Sequence, residues 1–470
     1  MTTELPRLNR DVMADPKAPV RMVHLGLGAF HRSHQAWFTQ HAGDAGEWGI
    51  ASFTGRRPDA AEVLAAQGGL FTVVERSDSG DAFEVIGSIV EAVDGANVDR
   101  LVELLAAPQT AVVTLTITEA AYGSSADDLP QLLSGQKPAT PLGRLVLGLA
   151  ARRDADGGSL AVVSCDNLSD NGNVARNAVM DLARGVDLAR GVNAGLADWI
   201  DVSVSFVSTS VDRITPRTTP EDVALVTERC RYRDEAPVVA EPFRNWVLSG
   251  DFPAGRPRWE DAGAVFVDYI EPYENRKLWL LNGAHSILAY AGQLRGHTTV
   301  AEALADAVCL QAVEEFWDEA SRHLSDDDLR IPEYRAALLE RFGNSRIAHH
   351  LAQIAMDAST KLRMRAIPVL RAEREAGRSG EAAARMIAVW AAFVESDPGL
   401  QDLQSDAVAE ANQLVGGERI AALVSLLDSD FARDSAVVKL IEDLSAGFPR
   451  AETHPGKGLR QPIATVSNPT

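Results

Sequence analysis

Cysteine is scarce in this chain: Cys165, Cys230 and Cys309 are the three among 470 residues. They are too few and too scattered for a disulfide framework or a thiolate zinc site. Positive charge is short as well. Lys and Arg number 45 against 66 Asp and Glu, and the formal charge of −21 argues against attachment to nucleic acid or to an anionic membrane. An anionic small substrate remains open, because the charge lining one cleft can oppose the overall sign. No uninterrupted apolar run is long enough to span a bilayer. Residues 1–20 lack the apolar centre of a signal peptide. These absences predict a cytoplasmic protein in a reducing compartment, with no membrane partner. Metal-ligand spacing is missing too: His31 and His34 are three apart and His349 and His350 adjacent, without thiolates or carboxylates placed to complete a site, so no metal is expected.

What is present is the composition of a globular protein, 46% hydrophobic with 36 Gly and 22 Pro, in a chain longer than one ordinary core accommodates. Residues 21–25 read as a short strand that runs straight into Gly26-Leu-Gly28-Ala-Phe30-His31-Arg32. A strand, a glycine turn and a helix start form the opening of a dinucleotide-binding fold, in which the glycines let the backbone approach a pyrophosphate. His31 stands where the generic fingerprint has its third glycine, so the match by itself is weak. Residues 48–53 form a second strand, which ends in Thr54-Gly55-Arg56-Arg57 with Asp59 beyond. An acidic residue at this tip would bind the ribose diol of NAD. Here it is missing and the arginines could accept a 2′-phosphate, so this strand leaves the choice open; NAD is the expected cofactor and NADP stays an alternative. Further β-branched strands over 111–118, 159–164 and 202–207 alternate with helical stretches such as 173–184, which predicts a mostly parallel α/β domain. After residue 268 the texture becomes helical, over 300–323, 332–342, 347–358, 382–394, 407–414 and 418–427. A Rossmann-type domain over 1–268 and a mostly helical substrate domain over 269–470 follow as the expected organisation. Breaks at Pro398-Gly399 and Gly416-Gly417 punctuate the helices, and residues 449–470 are rich in Pro, Gly and polar groups.

Lys277-Leu-Trp-Leu-Leu-Asn282-Gly-Ala-His285 sets an amine, an amide and an imidazole along an apolar segment, with Glu274 one helical turn earlier. At 3.6 residues per turn these four groups share an arc of about 140°. An amine among leucines and a tryptophan is expected to be desolvated toward the range useful for acid/base work. By itself the segment equally fits a snorkelling lysine beside polar groups that serve the backbone.

Taken in order, residues 26–35, Thr116-Ile-Thr-Glu119, Cys165-Asp-Asn-Leu168, Val211-Asp-Arg-Ile-Thr-Pro216, Glu241-Pro-Phe-Arg-Asn-Trp246 and 277–285 closely resemble the mannitol dehydrogenase family of polyol-specific long-chain dehydrogenases. That family includes fructuronate and tagaturonate reductases. The resemblance implies metal-independent hydride transfer between NAD(P) and a C2 alcohol or ketone, by a monomer or homodimer. It implies Lys277 as acid/base, Asn167 and Asn282 as the amides that hold the reacting oxygen, His285 as a substrate-positioning ring and Glu274 as a proton relay. It implies cofactor contacts at Gly26, Gly28, Phe30, His31, Arg32, Thr118, Glu119 and Asp212, and a substrate contact at Lys361.

Departures bear on the substrate. Ala120-Ala121-Tyr122 follows Glu119 where many members carry Lys-Gly-Tyr, and Gln353 stands where some mannitol enzymes have arginine. Arg363 and Arg365, just past Lys361, are placed to meet a carboxylate. The polyol/2-ketose pair is the leading expectation, with an aldonate/uronate pair such as mannonate and fructuronate as the alternative. A catalytically silent sugar- or nucleotide-binding relative is a third reading, against which the proton-transfer lysine counts.

Overall fold

The computed structural model describes residues 5–13, 16–55, 57–123, 128–191, 195–347, 349–396 and 401–449. The break at Pro398-Gly399 and nearly all of the C-terminal tail lie outside them.

Six parallel strands form the centre of the first unit: β1 (Val20–Leu25), β2 (Gly49–Phe53), β5 (Ile89–Val93), β6 (Val112–Leu115), β7 (Leu160–Ser164) and β8 (Val204–Asp212). β10 (Asn245–Ser249) joins β8 antiparallel and β11 (Val265–Phe266) extends the edge, in the order β11-β10-β8-β7-β6-β1-β2-β5. A second sheet holds β3 (Phe71–Ser77), β4 (Gly80–Ile86) and β9 (Val238–Ala240), ordered β4-β3-β9. Strand periodicity of two explains why both faces of the large sheet are apolar. Val23, Leu25, Val113, Leu115 and Val162 enter one core cluster, while Met22, Val112, Ala161 and Val163 enter the other. The chain runs from β1 outward to β2 and β5, then crosses to β6 on the other side. That reversal is the switch point at whose carboxyl edge α/β sheets bind ligands.

Several elements differ from the sequence reading. The strand expected over 111–118 ends at Leu115, and the helix expected over 347–358 is found as Leu351–Ala355. β8 runs to Asp212, so Val211 and Asp212 are strand residues and not part of the loop after it. The segment after Arg276 is a π-helix, Lys277–Gly283, followed by the α-helix Ala284–Leu294; the expected 3.6-residue spacing is replaced by i→i+5 turns, in which Asn282 follows Lys277 by one turn. The helical stretch 300–323 is two helices, Val300–Ala305 and Ala307–Ser321, because the Asp306 carboxylate caps the second through Val308 N at 2.9 Å.

Packing separates the chain into Met1–Lys277 with Leu324–Ile347, and Leu278–His323 with Ala348–Thr470. The sequence reading has a single cut after 268; packing instead returns residues 324–347 to the first unit. The second unit centres on the helix Glu381–Ser396, in which nine consecutive residues from Met386 to Val394 are buried. A helix apolar on every side has to lie inside a bundle. The carboxylate of Glu319, itself buried, accepts Ala382 N and Ala383 N at 3.0 and 2.9 Å, which satisfies donors the helix start leaves unpaired.

Candidate active site

The glycine turn follows β1 directly. Gly26 has φ +112°, and a Cβ there would lie 2.0 Å from Thr116 O, so this position accepts glycine alone. Gly26 N and Leu27 N both donate to Phe53 O, at 3.0 and 2.8 Å, which ties the turn to the end of β2. Gly28 opens the helix Ala29–Ser33. Phe30, half-buried, stacks on His34. Arg32 donates to Gly28 O and Ala236 O. His31 is fully buried: its ring stacks on His24 with centroids 3.3 Å apart, and its Nε2 meets Ser52 Oγ at 3.0 Å. It therefore supports the turn from below. Burial holds His24 and His34 down at about 3, and His31 well below its ordinary value. Beyond β2, Arg57 is exposed and pairs with Asp59 at 3.6 Å; Arg56 lies outside the described residues.

Next to the turn, the chain leaves β6 through Thr118, a β-branched residue at φ +73°. Such a conformation is costly and has to be held by its surroundings. Asp166 holds it, accepting Ile117 N at 3.1 Å, Thr118 N at 2.8 Å and the Tyr122 hydroxyl at 2.7 Å. Burial pushes the Asp166 carboxyl above its ordinary range, against the pull of these donors. Thr118 and Glu119 are exposed at this edge. Glycines that bring the backbone forward, the switch point and this exposed edge together fit a dinucleotide.

Lys277 reaches the same end of the sheet. Its Nζ donates to Asn167 Oδ1 at 2.6 Å, just past β7, and to Val211 O at 2.8 Å in β8. With Oδ1 engaged by the amine, Nδ2 is the donor end of the Asn167 amide. Glu274 Oε1 accepts Asp170 N at 2.8 Å. Burial raises the Glu274 carboxyl, while the Asp170 amide and Lys277 draw it down. Asp212 is nearly buried, and Arg341 binds both its oxygens, at 2.6 and 2.9 Å. The same guanidinium pairs with Glu241 at 2.8 and 2.7 Å.

In the second unit, His285 is buried and its ring lies edge-on to His349. Asn282 O accepts Arg365 Nη1 at 3.1 Å, and that nitrogen also donates to Ser286 Oγ at 2.9 Å. Burial draws the Arg365 guanidinium down to about 10. Lys361 Nζ donates to Ile354 O and Met356 O, at 3.0 and 2.6 Å. Gln353 is exposed. Arg363 is exposed as well and turns to Leu426 O, so the two arginines after Lys361 have separate partners.

The mannitol dehydrogenase Rossmann domain matches residues 20–261 and the mannitol dehydrogenase C-terminal domain residues 269–445. The chain belongs to the mannitol dehydrogenase family. As a member it is an oxidoreductase acting on CH–OH groups. It is 35% identical to a D-mannonate oxidoreductase of Escherichia coli over 86% of this chain and 88% of that one. It is also 35% identical to a mannitol 2-dehydrogenase of Cereibacter sphaeroides, over 79% and 80%. The solved ternary complex of Pseudomonas fluorescens mannitol 2-dehydrogenase with NAD and D-mannitol superposes with TM-score 0.74 at 31% identity, covering 94% of each chain.

Two groups at this site escape the sequence reading of a mannitol dehydrogenase family member. Asp166 sits inside the quoted Cys-Asp-Asn stretch, where its acid reads as ordinary turn chemistry. Arg341 lies 129 residues from Asp212, and no local pattern announces a contact at that distance. No helix among the described residues is long and apolar enough to cross a membrane.

Proposed function

We propose that this oxidoreductase works with NAD on the C2 position of a sugar-type secondary alcohol or its ketone, with a mannitol/fructose pair as the leading substrate class. The observation that carries this reading is the hold on Lys277: one amide oxygen at 2.6 Å and one carbonyl at 2.8 Å aim its ammonium at the carboxyl edge of the sheet. Gly26 and Gly28 are the positions at which the backbone would lie against the dinucleotide, with Thr118 and Glu119 beside them. NAD, when bound, supplies or accepts the hydride.

The remaining chemistry belongs to the chain. In ketone reduction Lys277 gives the proton that turns the carbonyl oxygen into a hydroxyl, and in oxidation the neutral amine takes it back. Asn167, through Nδ2, stabilises the charge that grows on that oxygen; as a neutral donor it does so without titrating. Asn282 is assigned as the second amide and His285 as the ring that orients the substrate. Glu274 passes the lysine's proton to or from solvent, and Lys361, Gln353 and Arg365 bind the distal hydroxyls.

An aldonate/uronate pair is the second reading. It is favoured by the D-mannonate oxidoreductase relative and by Arg365, a half-buried cation suited to a carboxylate. Absorbance of NADH with fructose, fructuronate and tagaturonate separates the two. Turnover of fructose alone supports the first reading, and turnover of a uronate alone transfers the assignment. Lys277→Ala is expected to bind NADH while losing hydride transfer; unchanged kcat removes the lysine from the mechanism.

A further inference from the structure

Lys277 donates to the carbonyl of Val211, and the next residue along β8 is Asp212, one of two nearly buried carboxylates that share a single guanidinium. Arg341 comes from the helix Ile331–Gly343, its side chain is 2% exposed, and the ring of Phe243 packs 4.8 Å from its charge centre. One edge of the fork takes both oxygens of Asp212, and the other takes Glu241. Glu241 in turn accepts Ile214 N, two residues past Asp212. Asp212 is also in register with Asn245 of β10. The guanidinium thus ties together the tip of β8, the chain after it and the strand beside it.

Against its burial, Arg341 holds the Asp212 carboxyl below its ordinary range, while burial pushes the Glu241 carboxyl up to about 7. In the alkaline range where an amine titrates, the two carboxylates therefore set two negative charges against the two positive ones of Arg341 and Lys277. Removing the guanidinium alone leaves the ammonium facing an uncompensated carboxylate. Other groups acting on this corner in the same unit are Asn167, Glu274, His34, Arg213 and Tyr334. Burial keeps His34 neutral and Arg213 is neutralised by its ion pair with Glu75, which leaves Asp212, Glu241 and Arg341 as the main charges beyond the lysine's own helix.

We infer that Arg341 is a positioning residue for Lys277: its fork fixes the strand tip that holds the amine, and its charge sets how much negative field the amine meets. The catalytic consequence rests on the reading of Lys277 as acid/base; the structural link does not.

Competitive labelling of the full-length protein with acetic anhydride across pH, read by mass spectrometry at Lys277, measures the amine's titration midpoint without turnover. Arg341→Gln is expected to raise that midpoint by about one unit, since an unbalanced charge at short range moves a pKa by one unit or more. Glu241→Gln, which removes one negative charge and keeps an acceptor for Ile214 N, moves it down. Arg341→Lys retains the charge and loses the fork. Its midpoint stays within about 0.3 units of wild type, while kcat for D-mannitol or D-mannonate oxidation falls about tenfold. Opposite shifts for the first two variants cannot come from general loosening. If Arg341→Gln does not fold, the downward shift in Glu241→Gln decides. Unmoved midpoints in every folded variant overturn the inference. Full hydride transfer in Lys277→Ala overturns the catalytic reading alone, and the labelling result stands apart from it.

Discussion

Asn167 offers the sharpest test of the chemistry, because its two ends have separate duties. Its Oδ1 lies 2.6 Å from Lys277 Nζ, a charge-assisted hydrogen bond whose contribution to stability is small because it faces solvent. Its Nδ2 is the proposed donor to the reacting oxygen, and losing one such donor costs roughly 10²–10³ in kcat, about 2.7–4 kcal/mol. Asn167 is exposed, so truncation is expected to change stability by no more than about 0.5 kcal/mol. Asn167→Ala removes both ends, although Val211 O still holds the amine at 2.8 Å. The expected phenotype is a kcat lowered at least 10²-fold, with the melting temperature and the NADH dissociation constant unchanged. Asn167→Asp separates the contributions, since a carboxylate keeps an acceptor for the lysine and has no donor to offer. Single-turnover absorbance at the NADH band, with protiated and 2-deuterated alcohol, is the assay. If the donor matters, Asp fails as badly as Ala and the isotope effect on hydride transfer is fully expressed. Recovery of kcat to within a few-fold of wild type in Asn167→Asp would refute the donor role and leave the amide as a mere rest for the amine.

Two further outcomes follow from groups around the glycine turn. Asp166→Asn removes a charged acceptor from the Thr118 conformation and is expected to cost about 2 kcal/mol, a fall in melting temperature of roughly 3 °C for a unit of this size; an unchanged transition would show that the φ +73° conformation holds without the carboxylate. His24 and His34 titrate at about 3 in the folded protein, below the unfolded value of about 6.5. A depressed imidazole pKa means that the unfolded chain gains protons first as pH falls. Each ring therefore withdraws about 2 kcal/mol of stability between pH 7 and pH 5, and His31 acts in the same direction. Calorimetry at the two pH values checks this, and a melting temperature no lower at pH 5 contradicts the neutral cluster.

Much of this architecture is legible in the sequence where local pattern and tertiary role coincide. β1, β2 and β7 lie within a residue of their expected positions, because short, largely apolar runs that end in turn residues mark buried strands. Helices 173–184 and 382–394 are found as Asn171–Arg190 and Glu381–Ser396, since caps and tertiary contacts extend a periodic core. β3, β4 and β9 escape a search for central parallel strands. β4 has a single buried residue, Ile86, and β9 is three residues long. The glycine turn is readable because it depends on residue type at short spacing. The proposed roles of Lys277, Asn167 and Asn282 come instead from the family resemblance, since Asn167 lies 110 residues from the lysine it meets. The π-helix at Lys277 is not, because nothing in the side-chain pattern separates i→i+5 from i→i+4 over seven residues. Arg341 is hidden for a different reason: its meaning lies in partners 100 and 129 positions away.

That separation also sets a clock. During synthesis, Asp212 and Glu241 emerge 129 and 100 residues ahead of the cation that neutralises them. At roughly 5–20 residues per second the interval is on the order of 5–25 s. Until it ends, the β8 tip can close only at the cost of two unpaired carboxylates, about 3–5 kcal/mol for a broken buried pair. The first unit therefore completes only after Leu278–His323 of the second unit have been made and before Ala348–Thr470 follow. A fragment ending at residue 268 is expected to stay protease-sensitive, whereas one carried through Ile347 contains every residue of the first unit.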